Sequence, residues 1–183
     1  MKILAFAGAL RAGSFNRKLL GVAVEALRGK AEVDRLDLRE VPMPPYDGDI
    51  EANEGLPAAA RAFKQRIASA DALLIATPEY NWSIPGTLKN VIDWASRPPD
   101  NPFKGRVALL MGASPGAYGA ARSVLALRQV MTALGVLALP NTVQITRADQ
   151  AFDEAGKLKD PKSAAIVEKA CAELVRVTGL MKA

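Results

Sequence analysis

The chain has 183 residues, half of them hydrophobic, and 24 Lys and Arg against 19 Asp and Glu leave a net charge of +5. There is no histidine, which excludes a Ser–His triad, a histidine general base and histidine metal ligands. The one cysteine, Cys171, rules out an internal disulfide and a thiolate–imidazole zinc site, and it fits a reducing compartment.

Apolar runs alternate with helical periods along the chain. "KILAFAG" (2–8) reads as a buried strand, followed by a helix from about Asn16 to Leu27 with Leu20, Ala23 and Leu27 on one face. "AEVDRLDL" (31–38) alternates and reads as a second strand. "REVPMPPYDGDIEANEGLP" (39–57) carries four prolines and reads as a loop, its acids Asp47, Asp49, Glu51 and Glu54 solvated. Pro57 opens a helix with Ala60, Phe63 and Ile67 as its stripe. "DALLIAT" (71–77) is a third strand, apolar throughout, as burial on both faces requires. Leu88, Val91, Ile92 and Ala95 mark a helix after Pro85 and Gly86. "RVALLMG" (106–112) is a fourth strand, and Val124, Leu127, Met131 and Leu134 line a helix over 120–134. "VLALPNTVQI" (136–145) holds a fifth strand interrupted at Pro140. A polar excursion then leads to a last helix over 162–178. Cys171 lies there on an apolar stripe with Val167, Leu174, Val175 and Thr178, and reads as a buried, inert thiol.

Strands separated by helices predict an α/β fold: one domain over 1–183, a five-stranded parallel sheet with helices on both faces. Ligands of such sheets bind beyond the carboxyl ends of the strands. That rule selects the loops 8–16, 78–86 and 112–120.

The first loop, "GALRAGSFN" (8–16), joins a strand to a helix start, where unpaired N–H groups and the positive end of the helix dipole favour an anion. It has the Gly-x4-Gly spacing of a nucleotide-triphosphate loop but lacks the lysine that must follow. It lacks the third glycine of a dinucleotide fingerprint, although Asp37 ends the second strand. What remains is a cradle without an attacking group, with Arg11, Ser14 and Asn16 as donors. The alternative is that Ser14 and Asn16 only cap the helix while Arg11 is solvated. The second loop, in "TPEYNWSIPGTLKNVIDW" (77–94), is stiffened by Pro78 and Pro85 and carries Tyr80 and Trp82. It suits an aromatic heterocycle with polar edges.

With these motifs together, the chain resembles the NADPH-dependent FMN reductase family of flavodoxin-like proteins, including its quinone and chromate reductase branch. "GALRAGSFN" is similar to that family's Gly-Ser-Leu-Arg-x-x-Ser-x-Asn, "PEYNWSIPGTLKN" matches its second motif throughout, and "GASPGAYGAAR" (112–122) is similar to its third loop. The resemblance implies a flavodoxin-like three-layer sandwich, bound FMN, and NADPH or NADH as electron donor. It places Arg11, Ser14, Phe15 and Asn16 at the FMN phosphate. Pro78, Glu79, Tyr80 and Asn81 would border the isoalloxazine, and Ser114, Gly116, Tyr118 and Gly119 its other side. Ala9 departs from the family's serine, so one phosphate-loop hydroxyl is absent. No protein side chain is required as a catalytic group, and no metal, because the cofactor carries the chemistry. The acceptor implied is a quinone, a flavin, an azo compound or an oxidised anion such as chromate, and the assembly a homodimer or homotetramer.

A flavodoxin-type electron carrier is the alternative, but such carriers tend to be acidic and this chain is basic. Nucleic acid is not expected as a partner, since the basic residues are dispersed and only two Trp, three Tyr and five Phe are present. No apolar stretch reaches the ~20 residues a bilayer span needs, and the N-terminus reads as a strand rather than a signal peptide, so a cytoplasmic location is expected. Trp94, off its helix's stripe, covers a loop or sits in a subunit interface. Tyr46 anchors its loop or approaches a neighbouring subunit's flavin.

Overall fold

A computed structural model describes residues 1–182. The strands are β1 (Lys2–Ala7), β2 (Glu32–Leu36), β3 (Ala72–Thr77), β4 (Val107–Ala113), β5 (Leu137–Ala138) and β6 (Val143–Ile145). All pairings are parallel, in the order β2-β1-β3-β4-β5, with β6 also on β4. This is the flavodoxin-like order, whose switch point lies between β1 and β3. The fifth strand is split as expected: β5 lies beside Val107 and Ala108, β6 beside Met111 to Ala113. Pro140 falls between them, where a residue without an N–H interrupts the ladder.

The helices are α1 (Phe15–Ala26), α2 (Gly48–Glu54), α3 (Ala58–Ala68), α4 (Gly86–Ala95), α5 (Ala121–Ala133), α6 (Ala148–Ala151) and α7 (Pro161–Lys182). Alternation along the central strands divides the interior into two layers. Ile3, Ala5, Leu74 and Ala76 pack with Leu19, Leu20 and Ala23 of α1 and Val167, Cys171 and Leu174 of α7. Leu4, Phe6, Leu73 and Ile75 face Phe63 and Ile67 of α3, Leu88 and Ile92 of α4, and Val124, Leu127 and Met131 of α5. Cys171 is fully buried in the first layer, and burial pushes its thiol up to about 12, which keeps it protonated and unreactive.

The stretch 39–57 is more ordered than its prolines suggest. Asp37 and Glu40 form a capping box around a 3-10 turn at Leu38–Glu40, and Asp47 caps α2 by accepting the Asp49 N–H at 2.8 Å. No residue of α2 is fully buried, so it has no apolar stripe to betray it in the sequence. The excursion after β6 likewise holds the single turn of α6. Trp94 is fully buried, and its Nε1–H donates to the Pro44 carbonyl at 2.9 Å. It therefore covers a loop. Tyr46 anchors the same loop, its ring 5.0 Å from that of Trp94 and its N–H donating to Asn90 Oδ1 at 2.7 Å. Asp37 is held by Arg39 at 2.6 Å and by Arg17 of α1 at 2.7 Å. The bonds from Arg39 foremost keep its carboxyl well below the usual carboxylate range, so this acid is occupied in tying β2 to α1.

Candidate functional site

The three loops selected by the sheet rule leave the carboxyl ends of β1, β3 and β4 and meet. Arg11, Ser14, Phe15 and Asn16 from the first, Pro78, Glu79 and Tyr80 from the second, and Ala113, Ser114 and Pro115 from the third line one cleft of about 130 Å³. Of the residues singled out in the sequence, Asn81, Gly116, Tyr118 and Gly119 do not line it. The cleft is small beside the ~300–1,000 Å³ of most ligand pockets, so a larger ligand must lie across the open shelf around it.

The first loop is built as an anion cradle. Ser14 is the N-cap of α1, its Oγ accepting the Asn16 N–H at 3.2 Å. Among the described residues, the main-chain N–H groups of residues 10–13 and of Phe15 have no acceptor. The first turn of α1 carries no acid. Free donors at an uncompensated helix start fit a phosphate dianion. Arg11 is exposed, with its guanidinium 5.7 Å from the centre of the Phe15 ring, which is itself stacked on Phe152. Gly8 lets the loop approach α4, for a Cβ there would stand 2.8 Å from Leu88 Cδ2.

Asn16 behaves differently from its neighbours. It is buried, its Nδ2–H donates to the Ala113 carbonyl, and its Oδ1 accepts the Ala113 N–H, both at 2.9 Å. The side chain acts as one rung of a β-ladder, joining the first loop to the end of β4. These two bonds use one donor and one acceptor position of its amide, and the residue also lines the cleft.

The second loop turns through a tight hairpin. Tyr80 and Ser83 exchange both main-chain hydrogen bonds at 3.0 Å, and between them Asn81 (φ 48°) and Trp82 (φ 67°) sit in the left-handed region. Such a turn favours glycine or asparagine, so Asn81 suits its position while Trp82 stands there against backbone preference. Tyr80 is 55% exposed and Trp82 72%.

Glu79 faces inward. Its Oε2 accepts the N–H groups of Arg122 (3.0 Å) and Ser123 (3.3 Å), and Oε1 accepts from Arg122 Nη1 at 2.8 Å. The N-cap of α5, Ala120, makes no side-chain cap, so a carboxylate from another loop caps this helix in its place. Below it, Ser123 Oγ–H donates to the Pro78 carbonyl at 2.8 Å and lies 2.9 Å from Thr77 Oγ1. In the third loop, Ser114 Oγ accepts the Gly116 N–H at 3.2 Å, and Gly119 (φ 55°) passes so close to Gln144 and Ile145 that a Cβ would stand 3.0 Å from their main chain.

Sequence reading missed Arg122 and Ser123. A signal existed: a basic residue in a first helical turn opposes the dipole, and its presence there implies a carboxylate nearby. Among the described residues no helix is long and apolar enough to cross a membrane.

Comparison with known proteins agrees with this geometry. The family model for NADPH-dependent FMN reductase matches residues 1–150. An NAD(P)H-dependent FMN reductase of Pseudomonas aeruginosa is 42% identical over 170 residues, covering 92% of this chain and 90% of that protein. A quinone reductase of Escherichia coli K12 is 38% identical over 140 residues, covering 76% and 73%. Among solved structures, FerB, a flavoenzyme NAD(P)H:(acceptor) oxidoreductase from Paracoccus denitrificans, is 32% identical with a TM-score of 0.85 and covers 97% of both chains. The sheet order, the loop cluster at its switch point and these likenesses together make the chain a member of the NADPH-dependent FMN reductase family, a flavodoxin-like oxidoreductase that works with FMN and NAD(P)H.

Proposed function

We propose that the chain, acting as one domain, binds FMN across the three-loop cleft and passes electrons from NADPH or NADH to a small acceptor such as a quinone, a free flavin, an azo compound or chromate. The observation that carries this reading is the convergence of Arg11, Ser14 and Phe15 with Pro78 to Tyr80 and Ser114 around a helix start with free N–H groups. The first loop takes the phosphate, with Arg11 as its charged fork. Asn16 holds that loop against β4 and stands with Arg11 and Ser14 at the phosphate. The ring lies along Pro78 to Asn81, with Ser114, Gly116, Tyr118 and Gly119 on its far side. Bound FMN supplies a two-electron acceptor for the nicotinamide and a donor for the second substrate.

The protein's part is to hold the ring with one face open. Asn16–Ala113 and Glu79–α5 fix the loops relative to each other, so donor and acceptor meet the same rigid shelf at the ~3–3.5 Å that transfer needs. One shared face implies that oxidised nicotinamide leaves before the acceptor enters. Assembly as a homodimer or homotetramer and a cytoplasmic location complete the reading.

Purified protein should show flavin absorbance, bleach with NADPH, recover it with a quinone, and give parallel double-reciprocal lines. Protein that neither retains nor binds FMN would overturn the reading, and intersecting lines would overturn the shared face.

A further inference from the structure

Beside the cleft, where Tyr118 is placed at the far side of the ring, lies an arginine that nothing above assigns to a ligand. The Arg122 guanidinium carbon lies 4.0 Å from the centre of the Trp82 ring and 4.3 Å from that of Tyr118. These rings come from different loops and are 72% and 63% exposed. Large aromatic surface left in water lowers solubility and stability, and Trp82 is also held at φ 67°. Both costs mark side chains kept for contact with something outside the chain.

Arg122 Nη1 is paired with Glu79 at 2.8 Å. Nε and Nη2 have no partner among the described residues, and they are not among the buried unpaired atoms, so water reaches them. Two flat rings and one carboxylate thus hold a guanidinium whose remaining N–H donors face solvent beside the second loop. Glu79 does not cancel this charge outright, because its carboxylate also accepts two N–H groups at the positive end of α5.

We propose that Arg122 is a specificity-determining residue: its free N–H donors take an anionic oxygen group carried by a planar substrate, while Trp82 and Tyr118 fix the guanidinium's orientation and cover the substrate's apolar face. The chemistry is a phosphate, sulfonate or carboxylate borne on a flat ring system or on a sugar attached to one. Its source is either an anionic acceptor or the 2′-phosphate that distinguishes NADPH from NADH. The inference rests on the proposed reading that the second and third loops flank the flavin ring.

The test uses the FMN-loaded protein and three variants. Arg122→Met removes the charge and keeps an apolar stem against the rings. Arg122→Lys keeps the charge without the fork. Arg176→Met removes an equal charge from the outer face of α7, where among the described residues Arg176 pairs only with Glu173. Michaelis constants are measured for 1,4-naphthoquinone against its 2-sulfonate, and for NADPH against NADH. Calorimetry with naphthalene-2-sulfonate and 2′-AMP reads binding apart from turnover.

A partly exposed charge-assisted hydrogen bond predicts that Arg122→Met raises the KM of the member of one pair that carries the additional anionic group about tenfold, and that of the member lacking it less than twofold. Arg122→Lys falls between, Arg176→Met follows the parent, and the calorimetric affinity falls with the same ratio. A shift in the quinone pair assigns the site to the acceptor, and a shift in the nicotinamide pair assigns it to the donor. Equal shifts within both pairs, or none, overturn the inference. FMN binding by the parent is scored separately, so a protein that binds no flavin fails the underlying reading instead.

Discussion

Asn16 offers the sharpest division between two uses of one motif residue. The family resemblance puts it at the FMN phosphate, and in the structure one donor and one acceptor position of its amide join the Ala113 main chain by two bonds of 2.9 Å in a buried setting. Asn16→Ala removes both bonds and leaves the Ala113 N–H and carbonyl without partners at 3% exposure. Two lost hydrogen bonds and two stranded polar groups should destabilise the apoprotein by about 2–4 kcal/mol. For a chain of this length that lowers Tm by about 5–15 °C. Asn16→Asp keeps the acceptor for the Ala113 N–H but turns an anionic oxygen toward the Ala113 carbonyl, so it should be at least as damaging at pH 7. The assay is urea unfolding of the apoprotein, read by the fluorescence of buried Trp94, beside a flavin titration. Apoprotein stability within about 0.5 kcal/mol of the parent, with FMN affinity lowered more than tenfold, would falsify the rung and make Asn16 a direct ligand.

Arg11→Ala should weaken FMN binding roughly 10- to 150-fold, as expected for a hydrogen bond to a charged group, with little change in apoprotein stability; an unchanged dissociation constant in the same titration would show Arg11 to be a solvated side chain. Asp37 has a carboxyl held below the usual range by Arg39 and Arg17, so the unfolded chain takes up its proton first as pH falls. Its stabilisation is complete above the unfolded value of ~3.9 and fades as acid approaches the folded one; Asp37→Asn should therefore lower stability at pH 7 and flatten its fall between about pH 5 and 3, and parallel profiles for the two proteins would contradict this. Cys171, with its thiol at about 12 and no exposed surface, should react with a disulfide reagent at pH 8 only as fast as the protein opens, and stoichiometric labelling within seconds in native buffer would place it elsewhere.

The strands were legible because each central one carries an unbroken apolar run such as "ALLIAT", and the split at Pro140 because proline cannot serve a ladder. The helices with a buried stripe were legible for the same kind of reason. The turns at Leu38–Glu40 and Gly48–Glu54 were not, because they are held by capping carboxylates and bury little, and periodicity senses only burial. At the site, the loops could be located from the strand ends, but the direction of each side chain could not. Glu79 reads as a ring neighbour in "PEYN"; it does line the cleft, but its bonds to the start of α5, forty-odd positions further along the chain, could not be read. Asn16 reads as a donor to a ligand, and its bonds to Ala113, 97 positions away, could not be read beside that role. Partners so distant in sequence leave no local spacing to detect.

Much of the cross-linking between the loops runs to main-chain atoms, from Asn16 to Ala113 and from Glu79 to the first turn of α5, beside the one side-chain pair Glu79–Arg122. A bond to the backbone does not depend on which side chain its partner carries. The scaffold under the cofactor can therefore persist while the residues on its outer rim are exchanged, and Trp82 and Tyr118 stand on that rim with most of their surface free. On the proposed reading of that rim, such a division lets a lineage change the substrate by altering one or two aromatic positions, without rebuilding the loops beneath them.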